Sequence, residues 1–185
     1  MAASFVAMDP FTQLLETAQS RRLPPVHLWQ PERVGRIDIR IAADGTWFHE
    51  GVAIRRIAIA RVFSTILRLE DGQHYLVTPP EKLAIEVEDA PFIAVDMESS
   101  GQGQERRLVF ATNLDDAVLA DAEHPVEVEG TADEPRPYVE VRDGLRALIA
   151  RSVFYRMVDE AETEPNGEVV IWSAGTRFVL GQAGD

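Results

Sequence analysis

A chain of 185 residues that is 45% hydrophobic and 26% charged can bury enough apolar surface to offset the entropy of ordering, which excludes global disorder and leaves room for one ordinary domain or two small ones. Its net charge is -13, with 17 arginines and a single lysine, Lys82, so nucleic acid and anionic membranes meet repulsion over most of the surface and neither is expected as a partner. Cysteine is absent, which excludes disulfide frameworks, thiolate metal sites and thiol nucleophiles.

Residues 1–9 lack the basic and apolar segments of a secretory leader, so no export is expected and the address is read as cytoplasmic. Asp9-Pro10 resembles an N-cap followed by a proline at the first helical position. Phe11, Leu14, Leu15 and Ala18 then recur at helical spacing, which predicts a short amphipathic helix. Three prolines between 23 and 35 favour an extended strap, which Trp29 pins to the body.

From Gly35 the period becomes two: Ile37, Ile39 and Ile41 alternate with Asp38 and Arg40, and Asp44-Gly45 supplies a hairpin turn before Trp47 and Phe48. Residues 56–69 are read as a helix, its apolar side on the sheet, ending before the turn Asp71-Gly72. Arg61 and Arg68 break the apolar run there, far short of the roughly 20 residues that span a bilayer. Strands follow at 74–78, 83–87, 92–97, 107–111 and 126–129. The glycine-containing stretch 99–103 reads as a flexible hairpin loop, because a phosphate loop would stand between a strand and a helix.

After 131–137 a second pass through the same order is read: a strand at 138–141, the turn Asp143-Gly144, a helix face formed by Leu145, Leu148, Ile149, Val153 and Met157, and a closing hairpin, 169–172 with 177–180. Ile59-Ala60-Arg61 and Ile149-Ala150-Arg151 stand at matching places, with Phe63 and Phe154 after them. This suggests an internal duplication that aligns the two helices.

The motifs of common catalysts are missing. His27, His49, His74 and His124 are scattered over different elements, no serine sits in a Gly-x-Ser-x-Gly elbow, and no glycine run ends in Lys-Ser or Lys-Thr. Asp115-Asp116 and Asp133-Glu134 read as solvated turn carboxylates. A strand leaving through Pro79-Pro80 into Glu81-Lys82 fixes the only lysine rigidly, as a charge for a phosphate or carboxylate or as half of a solvated ion pair. Arg55, Arg56 and Arg61 cluster near one helix, and Arg142, Arg146 and Arg151 near the other. They face either a small anion or the chain's own carboxylates.

Several separated motifs carry a family resemblance. They are Asp44-Gly45-Thr46-Trp47-Phe48-His49-Glu50-Gly51, Leu76-Val77-Thr78-Pro79 with Glu81-Lys82, and Val87-Glu88-Asp89-Ala90-Pro91-Phe92, followed by Thr112-Asn113, His124-Pro125, and Pro137-Tyr138 with Val141-Arg142 and Gly144-Leu145. In this order, from about Pro24 to the end, they resemble the bacterial family called domain of unknown function 1285. Where that family often carries Gly-x-Pro-Ile, this chain has Gly51-Val52-Ala53-Ile54, which bears on the rigidity of the turn. The resemblance implies an α+β fold of two related lobes, each a mostly antiparallel sheet with one helix, the C-terminal lobe pleckstrin-homology-like. It also implies a ligand site between the lobes, a nucleotide-like ligand, and a role in signal transduction with oxidative stress as one context. No catalytic residues come with it.

The expected organisation is a helix and strap over 1–35, a first lobe over 36–88 and a second over 89–185. The first functional expectation is a small anionic, nucleotide-like ligand at the interlobe cleft. Lys82, Arg56 and Arg142 are its charge partners, Trp47, Tyr75 and Tyr138 its stacking surfaces, and His49, Glu81 and Asn113 complete the candidate set. The alternative is a protein-interaction adaptor or homodimer, recognisable by an exposed apolar patch away from the cleft. An enzyme is the weakest reading and would need His49 and Glu81 in one pocket. No metal and no cofactor beyond that ligand are expected.

Overall fold

Helix α1 (Pro10–Ser20) starts where the sequence places it: the Asp9 carboxylate accepts from the Thr12 backbone N–H at 3.1 Å and from its hydroxyl at 2.6 Å, satisfying the helix start. The protein is described here as a computed structural model covering residues 9–20 and 22–184; the reading of 1–9 as leaderless falls, but for Asp9, outside the described residues. The strap that follows contains one 3-10 turn, Val26–Leu28, where wholly extended chain is expected. Its anchor is Arg68, which donates to the carbonyls of Val26 (2.9 Å) and Trp29 (2.7 Å).

Strands β1 (Arg33–Ile41), β2 (Trp47–His49) and β3 (Val52–Ala53) lead into helix α2 (Ile57–Thr65), followed by β4 (Leu67–Glu70), β5 (Gln73–Val77) and β6 (Glu81–Val87). They form one six-stranded sheet in the order β3-β2-β1-β6-β5-β4, antiparallel throughout except for β1 against β6. Helix α2 is shorter than the 56–69 expected. Leu67 pairs with Leu76, and this cross-strand contact, invisible to local periodicity, takes the last three residues of the expected helix, Leu67 to Leu69, into the sheet.

The second sheet contains β7 (Phe92–Ser100), β8 (Arg107–Thr112), β9 (Ala117–Leu119), β10 (Val126–Gly130), β11 (Pro135–Arg142) and β12 (Leu145–Ile149) in the order β10-β11-β12-β7-β8-β9. Again only the central pair, β7 with β12, is parallel. Read from its far end, this order is that of the first sheet with every strand number raised by six, so β1–β6 and β7–β12 are two copies of one unit.

The duplication is therefore present, in a different register from the one expected. Strand β1 corresponds to β7, and α2 corresponds to the 120–125 connection between β9 and β10 instead of to the second helix. The matching Ile-Ala-Arg triplets occupy non-equivalent places. Residues 145–149, expected to open that helix, are strand β12: Leu145, Ala147 and Ile149 point into the core with Arg146 and Leu148 between them. Ala147 is small enough to hide that alternation, and the following turns of α3 (Arg151–Asp159) happen to continue the apolar spacing.

After the second unit, α3 leads into a separate three-stranded sheet of β13 (Glu162–Thr163), β14 (Glu168–Ser173) and β15 (Thr176–Gln182). A single apolar core runs through both units, from Ile41 and Leu67 to Phe92, Phe110 and Met157. Among the described residues no helix is long and apolar enough to cross a membrane.

Candidate functional site

The two units hold each other by their turns. In the first, Gly45 has φ +85°, and a Cβ there would lie 2.8 Å from Asn113 and Ile93 of the second unit. Asn113 is itself a brace, accepting from the Ile93 N–H at 3.0 Å through its side chain and donating its own N–H to the Ile93 carbonyl at 2.9 Å. In return Gly144 of the second unit, φ +78°, comes within 3.2 Å of Leu69 on β4 when a Cβ is placed on it.

Arg142 strengthens this junction. Its guanidinium donates to the Ser64 carbonyl on α2 at 2.6 Å, pairs with the buried Asp116 at 3.3 Å and lies 5.1 Å from the Phe92 ring centre. Nearby, Arg61 of α2 pairs with Asp115 at 2.8 Å. One arginine of each cluster, Arg61 and Arg142, thus reaches the interlobe boundary, where a carboxylate of the chain already engages it.

The candidate ligand residues do not converge. Trp47, 2% exposed, is a core residue stacked at 6.1 Å on Phe63, so it offers a ligand no stacking face. Lys82 and Tyr75 do meet, the ammonium 4.7 Å from the ring centre, on the outer face of the first sheet. There Lys82 pairs with Glu70, which also binds Arg68, and Arg68 holds the strap. Glu81 points to the opposite side of β6 and pairs with Arg33 at 3.6 Å. Arg56 is an exposed residue at the start of α2.

His49 and Glu81 cannot act together. On β1 their partners are Ile39 and Arg33, six residues apart. At about 3.3 Å rise each, that is roughly 20 Å. Among the described residues no three His, Asp or Glu side chains stand close enough to hold a metal ion.

Tyr138 belongs to a polar cluster at the lobe junction: its hydroxyl donates to Asp89 at 2.7 Å and accepts from Arg136 Nε at 3.1 Å, and Arg136 also pairs with Asp89 at 2.6 Å. Burial, helped by the Asp89 carboxylate, holds the Tyr138 phenol above its usual range. The ring is covered by Arg146 at 4.3 Å. Beside this cluster opens a cleft of about 490 Å³ to which the first lobe contributes Ala43, the interlobe segment Asp89, and the second lobe Arg136, Ala150, Arg151 and Tyr155.

That cleft has features the sequence does not show. Ala150 caps α3 without a side-chain hydrogen bond, and Ala150 and Arg151, at that helix start, line the opening. Tyr155 is 57% exposed at its rim. Arg136 is held by Asp89, whereas Arg151 has no ion-pair partner among the described residues. Residues 43, 89 and 136 and the one-turn pair 151/155 share no local motif, and only the tertiary fold brings them together. A second cavity of about 490 Å³, lined by Val128, Phe154, Val179 and Leu180, and one of about 330 Å³ beneath α1 lie elsewhere on the second lobe.

The fold and its braced junction define a two-lobed α+β protein built from a repeated six-stranded unit. Residues 24–90 match the family model for the N-terminal domain of DUF1285, a domain of unknown function, and residues 91–180 match the C-terminal domain of the same family, so the chain belongs to the DUF1285 family. It is similar to the crystal structure of a DUF1285 family protein from Silicibacter pomeroyi DSS-3, with 46% identity, a TM-score of 0.82 and coverage of 91% of this chain and 94% of that one. A DUF1285 family protein from Shewanella baltica OS155 is similar at 30% identity and a TM-score of 0.52, covering 66% of this chain and 91% of that one. No curated protein matches.

Proposed function

We propose that the protein is a binding module whose interlobe cleft takes a small, anionic, nucleotide-like ligand. The observation that supports this best is the pairing, at the mouth of one cleft of about 490 Å³, of an uncapped helix start and Arg151 with the exposed ring of Tyr155. Backbone N–H groups and an unengaged guanidinium suit a phosphate or carboxylate, and an exposed aromatic face suits a flat ring. Of the three carboxylates lining the cleft, Asp89 is neutralised by Arg136, while Asp133 and Glu134 are exposed on the β10–β11 connection, where solvent and salt screen them. On this reading Lys82 and Arg142 are structural, the first tied to Glu70 and the second to Asp116. A signalling role in the cytoplasm, on a pleckstrin-homology-like second lobe, is the setting we attach to it from the family resemblance.

A thermal-shift panel of mono-, di- and cyclic nucleotides tests the proposal. A ligand that binds only the folded state raises the melting temperature progressively with its concentration. The response should vanish in Arg151→Ala and Tyr155→Ala, both exposed positions, and persist in Lys82→Ala. Silence across the whole panel, or a response that survives both cleft substitutions, sinks the reading.

A further inference from the structure

The last strand of a sheet leaves one row of backbone N–H and C=O groups unpaired, and proteins keep such edges short or covered. Four of the six terminal strands obey this: β3 and β13 have two residues each, β9 has three and lies under α1, and β4 has four and holds the strap through Arg68. The other two, β10 with five residues and β15 with seven, are the longest, and both border one groove.

That groove is the second cavity of about 490 Å³, bounded by residues 128–132, residues 179–182 and Phe154 and Val158 of α3. A strand seen on its face contributes alternate residues. Consecutive ones, 128–130 on β10 and 179–182 on β15, mean that the groove runs along both edges. Its lining is mostly apolar, with Val158 and Val179 exposed. Gly181 is a second sign. Its φ lies outside the left-handed region, so neither the strand nor the β-bulge beside it requires glycine, and a Cβ placed there would meet nothing within 4 Å. Within the chain the missing side chain serves no contact. A glycine inside a strand weakens it and leaves room for a second backbone to come close.

Charge narrows the choice of partner. Glu127 and Glu129 share one arginine, Arg146, at 3.9 and 2.5 Å, and their side chains are 63% and 51% exposed. On the other flank Glu168, paired in register with Gln182, shares Arg177 with Glu164. Each flank therefore carries one negative charge more than its arginine balances, and no arginine or lysine lines the groove. In a chain of net charge -13 a second copy would set carboxylates against carboxylates, whereas a basic segment is drawn in.

We propose that the groove between β10 and β15 binds an extended peptide segment of a partner protein, apolar at alternate positions and flanked by lysine or arginine, which adds a strand to the edge of β15. The edge supplies the backbone hydrogen bonds, the apolar lining takes the inward side chains, and the flanking cations meet the surplus carboxylates. The cleft proposed for an anionic ligand is a neighbouring cavity that shares only Pro135 and Phe154 with this groove, so the two readings stand or fall separately.

The test is fluorescence anisotropy of a fluorescein-labelled peptide in which valine and threonine alternate between lysine pairs, titrated with the full-length chain. Binding should saturate, and amide hydrogen exchange should slow on β15 while β3 and β4 are unchanged. Gly181→Val, which fills the groove without a clash inside the chain, should weaken binding about tenfold or more. The same peptide N-methylated at alternate backbone positions, or with glutamates for its lysines, should lose binding to the wild-type chain. No saturation up to about 1 mM, or a folded Gly181→Val chain that binds like wild type, would overturn the proposal. So would unchanged binding of the N-methylated peptide, which would mean that the groove takes apolar groups without a backbone. Exchange on β15 that slows with rising concentration of the chain alone would also overturn it, giving the edge to a second copy.

Discussion

The two six-stranded units share a topology but not a packing environment. In the second, consecutive residues are buried on neighbouring positions of one strand: Leu108, Val109 and Phe110 on β8 are all 0% exposed, so β8 is covered on both faces. Helix α1 lies against this sheet at β7, β8 and β9, and α3 with the third sheet lies against other parts of it. The first unit has no such cover. Strand β1 buries only Ile39 and Ile41, and the proline-rich strap is held at the far edge of the sheet, by Arg68 of β4. One strand order thus serves as a two-sided core layer in one copy and a one-sided, surface-bearing layer in the other. The difference lies in what flanks each copy: appended helices cover the second, while the first has its own helix inserted between its third and fourth strands.

The largest expected difference concerns core residues of related strands. Phe110→Ala on β8 removes a ring with no solvent contact and should cost about 3–5 kcal/mol. Phe48→Ala on the corresponding strand β2 removes a half-buried ring capped by Arg40 at 4.3 Å, and should cost roughly 1 kcal/mol. Urea unfolding of both variants measures it. Equal losses would mean that the first sheet is as fully covered as the second.

The next effect concerns the boundary between the units. Arg142→Ala leaves the carboxylate of Asp116, 4% exposed, without its guanidinium and should cost about 3 kcal/mol. Arg61→Ala breaks a pair whose partner is largely in solvent and should cost less than about 1 kcal/mol. Replacing both members, Arg142→Met with Asp116→Leu, should recover most of the loss if charge burial is the cause. Failure to recover would assign the role to the Ser64 hydrogen bond.

This contrast also explains which features could be read from the sequence. The hairpin at Asp44-Gly45, the turn at Asp143-Gly144, the cap of α1 and the closing hairpin of the third sheet are local devices, and each stands where turn chemistry or period places it. The duplication was visible too, but its register was not. Strand β12 imitates a helix because Ala147 interrupts the apolar alternation, and the Ile-Ala-Arg triplets then suggest an alignment that strand order overrules. The same limit applies to function. Lys82 and Tyr75 are neighbours because β5 pairs with β6, yet Glu70, from β4, is what occupies the lysine. Trp47 sits in a family motif for the sake of the core. Arg151 and Tyr155, one turn apart on α3, face a cleft that exists only because the interlobe segment and the β10–β11 connection come to lie beside that helix.

A smaller effect is expected at the strap, the cover of the first unit. Arg68 spans two backbone carbonyls and a carboxylate with one planar group, a geometry that an ammonium cannot reproduce. Arg68→Lys should cost roughly 1 kcal/mol overall. Amide hydrogen exchange should accelerate for Val26–Trp29 while β8 keeps its protection. If β8 loosened as well, the strap would be part of the common core.

The smallest effect is a pH dependence confined to the first unit. His74 on β5 lies partly buried against Leu69 of β4, and desolvation depresses its pKa below the ordinary 6.5. Above that value the imidazole is neutral both folded and unfolded, and it leaves stability unchanged. As pH falls below about 6.5 the unfolded chain takes up the proton first, so stability declines until the depressed folded pKa is passed and then levels off. His74→Gln, which has no such titration, should flatten the stability profile between pH 7 and the low end of that window, leaving only the contribution of carboxylates that titrate further down. Chemical denaturation at closely spaced pH values compares the two chains. Parallel profiles would show that His74 is solvated as freely in the folded protein as in the unfolded one, and that the first sheet is even less covered than its burial pattern indicates.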